Sequence, residues 1–135
     1  WYLDRNGHEV SIYGRESSAH MQRFLKERRN DLLTLPESIT LSTELSVTKD
    51  AEVIVIAIAS QSLRSLLAQL AELGTKDKII VLCMKGIEED TGLRLTEVLL
   101  SERPYSLGSG VNGHIVNLAD IAGCRNVGGG ILVKT

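Results

Sequence analysis

A lysine follows one of the apolar segments of this 135-residue chain. Residues 78–83 predict a buried strand, and Met84-Lys85-Gly86 comes directly after it. A lysine at the mouth of such a strand presents a compact cation to an anionic substrate or to a cofactor phosphate. Gly86 permits a tight turn behind it. The alternative on position alone is a solvent-exposed loop lysine.

An arginine stands in a similar place after another predicted strand, residues 9–13. The second strand of a dinucleotide-binding fold usually ends in Asp or Glu, which binds the adenosine ribose hydroxyls, whereas an Arg there meets a 2′-phosphate. Here Tyr13-Gly14-Arg15 is followed by Glu16, so the signal is mixed. Arg15 is a candidate cofactor residue, and a surface loop arginine is the alternative.

Small residues end the most strongly β-branched segment, residues 52–58, and lead into Ala59-Ser60-Gln61. Ser60 is expected to be the N-cap of the next helix. In open α/β sheets, ligands bind outside the carboxyl ends of the strands, where helix N-termini point at them. Ser60 and Gln61 are therefore also predicted to line a cofactor cleft.

Other kinds of site have little support in the sequence. The histidines have no metal-ligand spacing, and the two cysteines, expected to be reduced and mostly buried, lie too far apart for a zinc or redox motif; these residues are His8, His20, His114, Cys83 and Cys124. The net charge is −2 with interspersed signs, which argues against a nucleic-acid partner. The longest apolar run, residues 53–59, is far shorter than the roughly 20 residues that a membrane span needs.

Strands and helices alternate at short intervals, which predicts an α/β fold with an open, doubly wound parallel sheet. The predicted order is a helix end (1–6), a strand (9–13), a helix capped by Ser17 or Ser18, a strand (38–41), a helical turn (44–49), a strand (52–58), a helix (60–73), a strand (78–83) and a helix (91–102). From residue 105 onward glycines accumulate, and only short apolar pieces such as 131–133 interrupt them. That tail is left without an assignment.

Three motifs in this order resemble bacterial-type NAD(P)-dependent glycerol-3-phosphate dehydrogenases. Residues 5–10, Arg-Asn-Gly-His-Glu-Val, with Tyr13-Gly14-Arg15 behind them, are similar to that family's first-helix exit and second strand. Residues 57–61 are similar to its strand-end Val-Pro-Ser-Gln stretch, with Ala59 in place of the common Pro. Residues 84–88, Met-Lys-Gly-Ile-Glu, resemble its most distinctive run. The resemblance extends over residues 1–103, and residues 104–135 form a divergent tail.

The resemblance implies a Rossmann-like partial NAD(P)-binding domain and a reversible hydride transfer from NAD(P)H to dihydroxyacetone phosphate, giving sn-glycerol 3-phosphate for phospholipid synthesis in the cytoplasm. It assigns cofactor binding to Arg15 and Lys85, in addition to Ser60 and Gln61 predicted from their position, with NADP or NAD as the cofactor. It assigns substrate binding to Lys85. It also assigns substrate binding to Gly113 and His114, because residues 110–114 are weakly similar to the family's phosphate-binding segment. No metal and no membrane span are expected; a homo-oligomer is left open.

The resemblance also implies absences. The family's first strand and Gly-x-Gly-x-x-Gly loop are expected before Trp1, and the helical domain with the catalytic lysine after residue 135, so no catalytic residue is expected here and the isolated chain is expected to have no turnover. Because the first strand is central, its neighbours are expected to leave unpaired edges and to make the chain associate. The alternatives are a related dehydrogenase for another hydroxy acid, and a non-catalytic nucleotide-binding or interaction module.

Overall fold

The elements that surround the predicted site form one mixed sheet with helices against it. The computed structural model describes residues 1–75, 78–102, 115–117 and 130–134. In chain order the elements are α1 (Tyr2–Arg5), β1 (Glu9–Tyr13), α2 (Ala19–Glu27), β2 (Thr40–Ser42), a 3-10 helix (Leu45–Asp50), β3 (Val53–Ile56), a 3-10 turn (Ser60–Ser62), α3 (Leu63–Leu73), β4 (Ile79–Leu82), α4 (Leu95–Ser101), β5 (Ile115–Asn117) and β6 (Gly130–Lys134).

Most of the predicted elements are confirmed, with shifts at their ends. β1 has the predicted bounds, and the Ser18 hydroxyl caps α2 by accepting a hydrogen bond from the Met21 N–H at 3.4 Å. The prediction that Ser60 caps the following helix is wrong, because a 3-10 turn intervenes and α3 begins at Leu63. α4 also begins later than predicted, at a turn that the Glu97 carboxylate closes by accepting the Arg94 N–H at 2.8 Å.

The sheet has the strand order β2-β1-β6-β3-β4-β5. β1 is parallel to β2, and β3, β4 and β5 are parallel to one another, which confirms the parallel doubly wound core of the prediction. β6 lies between β1 and β3 and runs antiparallel to both. The carboxyl ends of β1, β3 and β4 therefore lie at one edge of the sheet, which we call the carboxyl edge.

The prediction of unpaired strand edges at the centre of the sheet is wrong, because β6 occupies that position. Residues 130–134 pair with residues 9–13 on one side, and residues 131–133 pair with residues 53–55 on the other. The backbone groups of β1 and β3 that face this position thus find partners within the chain, as buried backbone groups require. The tail that the sequence left without an assignment supplies the central strand.

The main core lies between the sheet and the pair α3 and α4. Ile54 and Ile56 of β3 and Ile80 and Leu82 of β4 are at most 3% exposed. They pack with the apolar face of α3 and with α4 in one buried cluster, whose helical members are Leu63, Leu67, Leu70, Leu95, Val98 and Leu99. A continuous β-branched segment is typical of a parallel strand that is buried on both faces, but Val53 and Val55 are only half-buried, so β3 is fully buried on one face alone. This core fixes the ends of β3 and β4 relative to each other.

We expect Leu132→Pro to lower the free energy of unfolding by about 1–3 kcal/mol, because proline removes a hydrogen bond from a strand that is paired on both sides. Urea denaturation followed by circular dichroism measures the change. Lys134→Pro is the matched control, since Lys134 pairs with β1 alone at the strand end, and a smaller loss is expected. Equal losses in the two variants would contradict the central position of β6.

Candidate functional site

The carboxyl edge brings together the residues that the sequence singled out after three strands. Arg15 follows β1, Ser60 and Gln61 follow β3, and Lys85 follows β4. Neighbouring strands lie about 4.8 Å apart, so β1 and β3, with β6 between them, lie about 10 Å apart. Arg15 and Lys85 are exposed, Gln61 is exposed and Ser60 is half-buried. The edge thus carries two exposed cations, one on each side of the β3 loop.

The loop after β1 passes close against α2. A Cβ atom at Gly14 would lie 2.9 Å from both Cβ and Cγ of Met21, whose side chain is 3% exposed. Gly14 is therefore needed for the close approach of strand end and helix, and its N–H donates to the Ser42 carbonyl at 3.1 Å. These contacts set where the chain leaves the sheet immediately before Arg15.

The loops after β3 and β4 also meet closely. Gly86 has φ +126°, a backbone conformation that favours glycine, and a Cβ there would lie 3.4 Å from Ser60 Oγ. The last backbone hydrogen bond between the two segments runs from the Cys83 N–H to the Ile56 carbonyl at 2.9 Å. The structure therefore places Ser60 beside the Lys85-Gly86 turn.

The Gln61 side chain joins the two loops beyond the end of the strand ladder. Its amide nitrogen donates to the Ile87 carbonyl at 2.9 Å, and its amide oxygen accepts the Glu89 N–H at 3.0 Å. Both halves of the amide thus engage the loop after β4. That Gln61 also lines a cofactor cleft stays a prediction.

An ion-pair network that the sequence did not reveal lies next to this contact. Arg64 donates to Glu88 in a two-point geometry, from Nε to Oε1 at 2.8 Å and from Nη2 to Oε2 at 2.7 Å. The Thr91 hydroxyl donates to Glu88 Oε2 at 2.5 Å, and Arg64 Nη1 donates to the carboxylate of Glu102. The Glu88 side chain is 11% exposed. The Arg64 guanidinium, and then Thr91, hold the pKa of the Glu88 carboxyl at about 2, well below its usual range.

This network had no sequence signal of its own. Arg64 lies on the polar side of α3 and reads as a solvent-exposed helix residue, while Glu88 was quoted only as part of the Lys-Gly-Ile-Glu run. The pair is separated by many residues along the chain, and only the parallel arrangement of β3 and β4 brings its members together. A charged residue in the first turn of the helix after a strand is the feature of the sequence that could have suggested the network.

The part of the chain that the structure describes does not include every predicted site residue. Gly113 and His114, predicted to bind substrate, lie outside the described residues, as does Cys124. Within residues 1–75, 78–102, 115–117 and 130–134, no group of three or more His, Cys, Asp or Glu side chains is arranged to hold a metal ion. In the same part of the chain, no helix has the length and apolar character needed to cross a membrane.

The fold and the carboxyl edge place the chain in the class of Rossmann-type α/β nucleotide-binding domains. The crystal structure of glycerol-3-phosphate dehydrogenase from Coxiella burnetii is similar to it with a TM-score of 0.68 at 21% identity, over 85% of this chain and 34% of that one. The sequence model of the NAD-dependent glycerol-3-phosphate dehydrogenase N-terminus matches residues 1–111. The chain belongs to this family.

Curated relatives carry the same name. The chain is 35% identical to glycerol-3-phosphate dehydrogenase [NAD(P)+] of Syntrophotalea carbinolica over 76% of this chain and 32% of that protein. It is 36% identical to the protein of that name from Agathobacter rectalis, again over 76% of this chain and 32% of the relative. The chain therefore spans about a third of the length of the curated relatives that it matches.

We expect the Arg64–Glu88 pair to make the free energy of unfolding depend on pH in the acidic range. Because the folded pKa of Glu88 is lowered, its contribution is fully present above the unfolded value near 4.5 and is lost as the pH falls towards 2. The difference in unfolding free energy between wild type and Glu88→Gln should be constant above about pH 5.5, which is one unit above the unfolded pKa, and should shrink as the pH falls below about 4.5.

Urea denaturation at a series of pH values measures this difference. Glu89→Gln is the matched control, because it removes the same charge at the neighbouring exposed position. A difference between wild type and Glu88→Gln that persists unchanged down to about pH 2.5 would contradict the lowered pKa.

Proposed function

We propose that the protein carrying this chain catalyses reversible hydride transfer between NAD(P)H and dihydroxyacetone phosphate, giving sn-glycerol 3-phosphate as a precursor for phospholipid synthesis. The observation that carries the proposal is the turn at Lys85 and Gly86, which presents an exposed lysine at the carboxyl edge inside the family's Lys-Gly-Ile-Glu run. Family membership over residues 1–111 supports it.

The described residues fit an anionic dinucleotide. Arg15 and Lys85 are exposed cations on either side of the β3 loop, and a phosphate-bearing ligand at this edge would find a positive side chain at each end. Gly86 lets the backbone of the β4 loop approach closely. We assign the 2′-phosphate or ribose side of the cofactor to Arg15, and the wall of the cleft to Ser60 and Gln61.

We assign Lys85 to both cofactor and substrate. The nicotinamide, when bound, supplies or accepts the hydride. Reduction of a ketone develops negative charge on the carbonyl oxygen, and a fixed cation near that oxygen or near the substrate phosphate stabilises the charge as it forms. Gly113 and His114 are proposed to contact the substrate phosphate. We assign no proton-transfer role to the residues of this chain.

The proposed partners are small molecules. The interspersed charges favour no polyanion as a partner. We assign the reaction to the cytoplasm, where cysteines without a metal or redox spacing are ordinary. A homo-oligomer is compatible with the proposal. A related dehydrogenase for another hydroxy acid, and a module that binds a nucleotide without turnover, are the outcomes that would replace it.

The test is oxidation of NADPH and of NADH by the complete natural protein that contains this chain, with dihydroxyacetone phosphate as substrate. We expect Lys85→Ala to lower kcat/KM by about 10²-fold or more, as the loss of a charge-stabilising group does. Lys49→Ala is the matched control, because Lys49 is an exposed lysine on the 3-10 helix that precedes β3, at the opposite edge of the sheet. It should leave kcat/KM unchanged.

Arg15→Ala tests the cofactor assignment in the same assay. Loss of a charge-assisted contact to a 2′-phosphate should raise KM for NADPH by about 10-fold and leave KM for NADH nearly unchanged. Turnover that does not need dihydroxyacetone phosphate, or no turnover by the wild type, would overturn the proposed reaction. Binding of NADPH without turnover on any hydroxy acid would favour the binding module.

A further inference from the structure

We propose that Arg64, together with Gln61, is a positioning residue for Lys85: the two side chains hold the loop after β4 at two points and so fix the backbone from which Lys85 extends. The inference rests on the proposed function, because it concerns the lysine to which that function assigns cofactor and substrate contacts. Neither side chain is proposed to touch the reacting atoms through these contacts.

Gln61 and Arg64 lie on the same side of one helical segment and both contact the loop after β4. Gln61 lies in the 3-10 turn after β3 and Arg64 lies in the first turn of α3. Residues three apart on a helical segment lie on the same side of it. Both side chains reach the loop after β4, Gln61 at Ile87 and Glu89 and Arg64 at Glu88.

Gln61 continues the pairing of β3 and β4 where the ladder stops. The registered pairs of the two strands end at Ile56 and Leu82, and one further bond runs from Cys83 to Ile56. Beyond that point the Gln61 amide donates to one backbone group of the loop and accepts from another, as a neighbouring strand would. The loop thus keeps a partner although the strands have diverged.

Arg64 adds a second, stronger point of attachment. Its two-point contact with Glu88 fixes direction as well as distance, which a lysine ammonium would not do. Its further contact with Glu102 ties the same guanidinium to the end of α4. Glu88 itself is little exposed, so the loop is held against the protein rather than in solvent.

Lys85 lies within a short span that is anchored at both ends. Met84 on one side is 2% exposed and belongs to the main core. Ile87 on the other side has its carbonyl held by Gln61. The backbone of Lys85 and Gly86 is therefore constrained from both directions, while the Lys85 side chain stays exposed. A displacement of about 1 Å at a positioned group is enough to cost about 10²-fold in rate.

The test is a double-mutant cycle between Arg64 and Lys85 in the complete natural protein. Arg64→Gln should lower kcat about 10-fold and should leave the preference between NADPH and NADH unchanged, since that preference is assigned to Arg15, which Arg64 does not contact. In the Lys85→Ala background, Arg64→Gln should have no further effect, because the group that it positions is gone. Arg64→Lys should restore part of the loss.

Arg23→Gln is the matched control for removal of an ion-paired arginine. Arg23 lies on α2 and pairs with Glu27 and Asp31. It should leave kcat unchanged. A loss of activity in Arg64→Gln that is fully additive with Lys85→Ala would mean that Arg64 only stabilises the fold, and would overturn the proposal.

Backbone order separates this inference from the proposed function. Amide relaxation of 15N-labelled Lys85 and Gly86 in the same protein should give an order parameter near 0.85 in the wild type and below about 0.6 in the Gln61→Ala/Arg64→Gln variant. Loss of order in a protein without dehydrogenase activity would overturn the reaction and retain the positioning role. Unchanged order in an active protein would overturn the positioning role and retain the reaction.

Discussion

The arrangement of the site depends on one constraint, the parallel pairing of β3 and β4 over a common core. Because parallel strands point the same way, their following loops must leave the sheet at the same edge. The buried faces of both strands pack on α3 and α4, so neither strand can slide or tilt without exposing the core. The meeting of Ser60 with Gly86, and of Arg64 with Glu88, follows from that pairing.

The constraint also explains how an exposed lysine coexists with an acidic stretch. Lys85 is followed at short distance by Glu88, Glu89 and Asp90, any of which could reach back to neutralise it. Glu88 is instead committed to Arg64 and Thr91 and faces the protein. A carboxylate that is already satisfied has little to gain from a further cation, so the network helps to leave Lys85 accessible to an anionic ligand.

Most elements of the fold could be predicted from the periodicity and composition of the sequence. β1, β3 and β4 are short β-branched or alternating segments, and α3 shows its apolar face at the spacing of a helix, so local pattern was sufficient for each. β6 could not be placed this way. A five-residue segment among glycines carries no information on which strands it joins, or in which direction, because those choices depend on pairing with residues distant in the chain.

In the site, too, the features set by local sequence could be predicted, and those set by contacts between distant residues could not. Strand ends are visible in sequence, and so Arg15, Ser60 and Lys85 were all placed at the carboxyl edge as predicted. Side-chain partners are not visible. The capping role predicted for Ser60 was wrong because a 3-10 turn separates β3 from α3, and the Arg64–Glu88 contact depends on how α3 lies relative to the loop after β4. Gly86 was singled out as a tight turn, and its positive φ agrees.

The central place of β6 has a consequence for how the chain acquires its structure. Residues 9–13 are synthesised well before residues 130–134, which form the strand that lies beside them. The two halves of the sheet, β1 with β2 and β3 with β4, are thus joined only after nearly all of these residues have been synthesised. Pairing between strands so far apart in the chain is slow, and strand edges that are unpaired in the meantime are prone to pair with other chains. The longer the interval between the synthesis of residues 9–13 and that of residues 130–134, the greater the risk that the open edges of β1 and β3 pair with another chain.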